Sequence, residues 1–224
     1  MNASMQLAST RLRQQYAQLD QVAQNQANNS TPGYIARDTG YRGGEFSTWL
    51  RQREGAIADT NRGLDVALPE GAYLKVESND GIRLSRRGDL RLNEQRQLVV
   101  GQGFPILGES GNPIQVDDAN PIITKDGSVI SQGRLVDKIA RVHLDDIRFL
   151  TGEGTLLKPD QGQNLTADTR EINTGVLEAS NVDAVEEQTN VVALMHRATI
   201  FSECMKTLDK VNDKAISELS RGRS

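Results

Sequence analysis

Apolar residues recur with a helical period at both ends of the chain and alternate with the period of a strand in between. At the N-terminal end, Met5, Ala8, Leu12, Leu19 and Val22 follow 3–4 spacing, with Gln15 and Gln26 filling intermediate seam positions. No Pro or Gly interrupts this stretch before Pro32-Gly33, so the pattern predicts a helix over residues 1–30. Near the C-terminal end, Val185 and Val192 begin a stripe that Leu194, Ala198, Phe201, Met205 and Leu208 continue, and that Val211, Ala215 and Leu219 extend. Ser180 is the candidate N-cap, with Asp183 three places on. Asp183, Glu186 and Glu187 bring negative charge to the first turns, where the helix dipole favours it. The helix predicted over 178–220 is about 40 residues, or roughly 60 Å at 1.5 Å per residue. A helix longer than about 25 residues points to a coiled coil or an extended assembly.

Residues 64–176 read as all-β. Ala72, Leu74 and Val76 alternate on one face, as do Ala140, Val142 and Leu144. Asn79-Asp80-Gly81 and Asp126-Gly127 are turn signals, and short strands with turns every 8–12 residues predict a sandwich or barrel-like body. Residues 34–66 have scattered glycines and aromatics, Trp49 among them, and read as an extended arm packed on that body. The expected architecture is therefore α+β. A mainly β central domain is enclosed by long N- and C-terminal helices that pair as a coiled coil. The expected divisions are an N-terminal helix in 1–33, a connecting arm in 34–66, a β-rich outer domain in 67–176 and a C-terminal helix in 177–224.

Composition narrows the partners. Eleven of the first 29 residues are Asn or Gln, whereas charge there is limited to Arg11, Arg13 and Asp20. Uncharged amides bond to many partners without the desolvation cost of a buried charge, so this helix suits surroundings made of protein. The net charge of −4 and the lack of a basic tract argue against nucleic acid. No run reaches the roughly 18 apolar residues of a membrane span, and the N-terminus lacks the features of a secretory signal. The single cysteine, Cys204, forms no intramolecular disulfide and reads as a packing residue.

Reactive chemistry is sparse. His143 lies beside Asp145 and Asp146, and a His–Asp pair is the nearest approach to a catalytic group. A partly exposed strand histidine explains it as well. His196 sits on the C-terminal helix. "GQGF" at 101–104 lacks the third glycine and the helix of a nucleotide loop. Asp117-Asp118 and Asp145-Asp146 lack calcium-loop spacing. "NLT" at 164–166 is a sequon only in a glycosylating compartment. No catalytic residue, metal ligand or cofactor is expected.

Three blocks carry a resemblance to the axial rod and hook proteins of the bacterial flagellum. "NQANNSTPGYIARD" at 25–38 is similar to the family's N-terminal signature through Asn25, Ala27, Asn28, Thr31, Gly33 and Tyr34. Gln26 stands where the family has Leu, and its basic residue after the aromatic is displaced to Arg37. "LDVALPEGAYLKVESNDGIRLSRRGDLRLNEQRQLVVGQGFPI" at 64–106 resembles the central block through Asp65, Ala67, Gly71, Tyr73, Arg87, Gly88, Leu98, Val99, Gly103, Phe104 and Pro105. "LEASNVDAVEEQTNVVALMHRATIF" at 177–201 resembles the C-terminal signature through Ser180, Asn181, Val182, Glu186 and Glu187. It departs at His196-Arg197-Ala198-Thr199-Ile200.

A β domain without a large insertion resembles the proximal-rod branch first and the distal-rod branch next. The resemblance implies a structural subunit of the basal-body rod that transmits motor torque across the periplasm to the hook. It implies export through the flagellum's own apparatus without a cleaved signal peptide, and partners that are other rod proteins and copies of the chain. It also implies terminal helices that are disordered in the free monomer and order on assembly. The assembly interface is expected on Met5, Leu12, Leu19, Val22, Val185, Val192, Phe201, Met205 and Leu208. Two rival readings remain: a non-polymerising assembly or binding module that uses the same helices, and a β-domain hydrolase built on His143.

Overall fold

A computed structural model of the chain describes residues 3–101, 103–147, 150–159 and 165–221. Gln102 and Asn164, which belong to two of the motifs above, lie outside them, as do the side chains of Met5 and Leu208. Helix α1 spans Ala3–Ala27 and helix α2 spans Ala184–Arg221, with eighteen short strands between them among the described residues. The fold divides into two compact units. One holds α1, the segment Thr39–Thr48 and α2; the other holds Ala27–Asp38 and Trp49–Val182.

In the second unit the largest sheet has six antiparallel strands. In order they are Thr151–Glu153, Leu156–Lys158, Gly81–Ser85, Ala72–Ser78, Arg141–His143 and Thr166–Ala167. Its centre is the hairpin of Ala72–Ser78 with Gly81–Ser85, closed at Asn79-Asp80, with Ser78 opposite Gly81. Gly81 has φ +100°, a conformation an L side chain rarely adopts. Both faces of this sheet are covered. Ala72, Leu74 and Val76 join a core with Leu98, Ile106 and Ile139. Tyr73 points to the other side, into a second core with Leu84, Val142, Leu50 and Leu157. The alternation marked one covered face; arm and loop residues such as Ile35 and Leu150 cover the other.

The remaining strands form small separate sheets. Two have three strands: Ile122–Ile123, Ser128–Ser131 and Arg134–Lys138; and Arg91–Leu92, Leu98–Val100 and Phe104–Pro105. Three are two-stranded: Val66–Ala67 with Asn173–Thr174, Ile57–Asp59 with Val176–Glu178, and the hairpin Arg37–Arg42 with Glu45–Leu50. The sandwich or barrel expectation is therefore corrected. Many strands are only two or three residues long, too short to pair widely, and the largest sheet ends in open edge strands.

The expectation of a coiled coil is corrected too. The helices are long, but no paired coiled-coil seam joins them among the described residues. A seam needs apolar knobs on both partners. Here α1 brings Gln15, Gln21, Asn25 and Gln26 to its inner positions, and α2 leaves Val185 and Val192 exposed at 73% and 55%. The helices meet instead through a polar contact at the C-terminal end of α1 and the N-terminal end of α2.

Candidate assembly interface

That contact is between two buried residues. Asn25 Nδ2 donates to Glu187 Oε1 at 3.1 Å, and Gln21 Nε2 donates to Asn25 Oδ1 at 3.4 Å. A buried carboxylate is tolerated where hydrogen bonds replace water, which is what the amide-rich face of α1 supplies. Further along α1, the tip of the hairpin lies against the helix. The Arg11 guanidinium stands 5.2 Å from the Tyr41 ring centroid and its Nη1 donates to Tyr41 Oη at 2.9 Å. Tyr41 Oη donates to Gln14, and Gln18 Nε2 donates to Thr39 O at 3.3 Å. The tip itself is Gly43-Gly44, with φ +59° and +90°, as a tight primed turn requires.

Helix α2 is capped by Asp183, whose Oδ1 accepts from the N–H groups of Val185 and Glu186 at 3.0 and 3.1 Å. Ser180, the cap expected from sequence, instead accepts from Val182 N at 3.3 Å and shapes the approach. At about 100° per residue, the apolar residues of α2 fall on two sides. Val191, Leu194, Ala198, Phe201 and Met205 form one side and are half-buried, with buried Glu187 at its head. Val185, Val192, Met195, Ile200 and Val211 form the other and are exposed. The stripe drawn from sequence joined the two faces, taking Val185 and Val192 from one and Phe201 and Met205 from the other. Met195 and Ile200 were passed over. Their helical phase relative to Val192 was the available signal. On α1, Leu12, Leu19 and Val22 are half-buried.

In the second unit the two terminal signatures are brought together. Gly33 N donates to Glu178 O at 2.9 Å, and Asn181 N to Tyr34 O at 3.3 Å. Tyr34, Ala36 and Val182 pack as one buried cluster. The buried Asn181 side chain accepts from Ala36 N at 2.6 Å and donates to Arg53 O at 2.5 Å and Arg51 O at 3.3 Å. Gly33 has φ +63°, and a Cβ on it would lie 2.5 Å from Arg86 O, so only glycine fits. Asn28 ends the first helix by accepting from Thr31, through its carbonyl at 3.0 Å and its side chain at 3.2 Å. Ala27 and Glu186 are exposed.

Arg86 ties this region to the sheet. Its Nε donates to Glu178 Oε2 at 2.6 Å, its Nη2 to Glu54 Oε1 at 2.5 Å, and its Nη1 to the carbonyls of Pro69 and Ala72 at 3.2 Å each. Burial pushes the Glu178 carboxyl above its ordinary range, against the pull of Arg86. Burial likewise pushes the Tyr73 hydroxyl up to about 12.

His143 lines a cavity of about 490 Å³ together with Tyr73, Glu70, Asp145 and Arg170. Arg170 Nη2 lies 2.9 Å from His143 Nδ1 and can only donate, so Nδ1 accepts and Nε2 carries the proton toward Asp145 Oδ1 at 2.9 Å. An imidazole whose acceptor nitrogen is taken by a guanidinium is poorly placed to act as a base. Among the residues lining the cavity there is no Ser, Thr or Cys nucleophile. Among the described residues no group of three or more His, Cys, Asp or Glu is placed to hold a metal, and no helix is long and apolar enough to cross a membrane. His196 and Cys204 are exposed on α2.

No protein-family model matches the sequence. Individual proteins do match along most of its length. The flagellar basal-body rod protein FlgF of Salmonella typhimurium is 31% identical over 97% of this chain and 96% of its own length. FlgF of Escherichia coli is 30% identical over 95% and 93%. The flagellar hook-basal body complex protein FlhP of Bacillus subtilis is 29% identical over 86% and 90%. The chain belongs to the FlgF family of flagellar basal-body rod proteins.

Proposed function

We propose that the chain is a structural subunit of the flagellar rod, and that the terminal helices are its working surface. The observation that supports this reading is the two-sided α2. A helix apolar on opposite sides is a helix to be covered on both, and one side stands open in the single chain. The partners are copies of the chain and other rod proteins. Leu12, Leu19 and Val22 on α1 and Phe201 and Met205 on α2 belong to the same assembly surface. Val185 and Val192, joined by Met195 and Ile200, meet the neighbour. The role is to carry motor torque across the periplasm to the hook through many packed contacts, not to perform a reaction. The chain reaches the rod through the flagellar export apparatus, and it engages neither nucleic acid nor the bilayer.

The test is genetic. The gene is deleted in the source bacterium and restored as the native chain or as Val192→Asp with Ile200→Asp. Purified basal bodies are then scored for rod completeness and for the protein itself. The expected result is complete rods containing the native chain and none containing the variant. Complete rods in the deletion strain would overturn the reading and favour a non-polymerising module.

A further inference from the structure

Two features of the β-rich unit have nothing inside that unit to satisfy them. The first is the 490 Å³ cavity. Its floor is the turn Pro69–Ala72, and every carbonyl of that turn is occupied. Arg86 Nη1 bonds to Pro69 O and Ala72 O at 3.2 Å, Arg170 Nη2 to Glu70 O at 2.7 Å, and Leu144 N to Gly71 O at 2.9 Å. The floor is therefore rigid, and its spare acceptors are side-chain carboxylates. Glu70 is exposed, and its carboxylate, within electrostatic reach of Arg170, makes no hydrogen bond or ion pair among the described residues. Asp145 bonds through one oxygen to His143, and Glu54 through one oxygen to Arg86. The donors are mostly spent: Arg86 and Arg170 are held by Glu178 and Asp168, and Arg53 Nη2 donates to Asn181 O at 3.4 Å. Ile35, Leu144 and Ile147 provide an apolar wall beside these groups. Spare carboxylates next to an aliphatic wall fit a cation on a hydrocarbon stem.

The second feature is the turn between the strands Ser128–Ser131 and Arg134–Lys138. Ser131 pairs with Arg134 across Gln132-Gly133, whose φ values of +50° and +71° define a tight primed turn. Arg134 is exposed at its base, and its side chain has no hydrogen bond or ion pair among the described residues. The opposite face of the same strands carries an uncovered aliphatic stripe. Leu135, 67% exposed, opposes Ile130, which opposes Ile122, 63% exposed. An unpaired guanidinium on a hydrocarbon stem, held on a stiff turn, complements the cavity in both charge and polarity.

We infer that Arg134 of one copy of this chain enters the cavity of the next, its guanidinium pairing with Glu70 and Asp145 while its hydrocarbon stem lies against the apolar wall. Turn and cavity are different surfaces, so the contact is head-to-tail and leaves a free turn and a free cavity at the two ends of any row of copies. The inference rests on the rod reading insofar as it makes a second copy the neighbour.

The experiment uses the purified full chain with Cys204→Ser to remove its thiol. Arg134→Cys chains mixed with Glu70→Cys chains should form a disulfide-linked dimer. A chain carrying both substitutions should form a ladder of dimers, trimers and longer species. Cross-linking no better than that of Arg134→Cys with Lys158→Cys, or confined to a single chain, overturns the inference. Charge exchange is the second arm. Arg134→Glu or Glu70→Arg alone should weaken self-association roughly tenfold, and the two together should restore it. Equal association of all four chains also overturns it. Incorporation into basal bodies separates the two readings. Rods that take up the native chain while the cysteine pair gives no cross-link defeat only the docking contact, whereas a cross-linking pair whose native chain never enters rods defeats only the rod reading.

Discussion

Replacing Asn181 by Ala tests whether the joined terminal signatures hold the β-rich unit in shape. The side chain makes three hydrogen bonds, from Ala36 N and to the carbonyls of Arg51 and Arg53, and it is buried. Each such bond contributes about 1 kcal/mol net. The substitution also strands the N–H of fully buried Ala36, and an unsatisfied buried donor costs about 1–3 kcal/mol. The carbonyls lose less, because each retains a second lone pair and Arg51 and Arg53 are less deeply buried. The expected loss is about 3–4 kcal/mol, a large share of the roughly 5–15 kcal/mol that holds a typical domain. Urea unfolding followed by the fluorescence of Trp49, two residues before Arg51 in the chain, measures it through the shift in midpoint at constant slope. Amide exchange at Ala36 gives a local readout, since its N–H loses its acceptor. A loss below about 1 kcal/mol, with Ala36 still protected, would refute the reasoning and mean that Asn181 is incidental to this packing.

Other outcomes follow from the same geometry. Gly33→Ala places a Cβ 2.5 Å from the Arg86 carbonyl at φ +63°, and should cost at least about 2 kcal/mol in the same assay. Arg86→Met leaves Glu178 buried without its cation and should cost about 3–5 kcal/mol near neutral pH. Because the folded state holds the Glu178 carboxyl above its unfolded value, its stabilising share is greatest at low pH and is lost as pH rises through its titration; the deficit of the variant should therefore be smallest in acid. Asp126 behaves in the opposite sense. Hydrogen bonds from the Thr124 and Ser128 hydroxyls lower its carboxyl to about 2, so its contribution is full above the ordinary carboxylate value and is lost as pH falls through about 2. Carboxyl NMR titration should find that value, and Asp126→Asn should flatten this part of the stability–pH curve. Phe201→Asp should prevent incorporation into rods while leaving the unfolding midpoint of the β-rich unit unchanged, because α2 belongs to the other compact unit; rods assembled normally from this variant would remove Phe201 from the interface.

The sequence by itself determined what is decided within a few residues along the chain. The two helices and the hairpin closed at Asn79-Asp80-Gly81 follow from periodicity and the positive φ that glycine permits, although α1 ends at Ala27, ahead of the stop expected at Pro32-Gly33. The three signature blocks identified the family on residue identity alone. Tertiary structure decided what covers each face. Tyr73 lies on the side that alternation left open, and it is buried because the arm and the loops after His143 fold over it. Asn181 and Ala36 are 145 residues apart, and no local signal joins them. The stripe on α2 gave the apolar positions but merged two faces, because a period of 3.6 fixes the angle of each residue and not which angle is covered. The expected coiled coil failed for the same reason. A heptad-like pattern reports what a helix has to bury, and the partner that buries it is set by contacts distant in the sequence, where α1 offers Gln and Asn in place of apolar knobs.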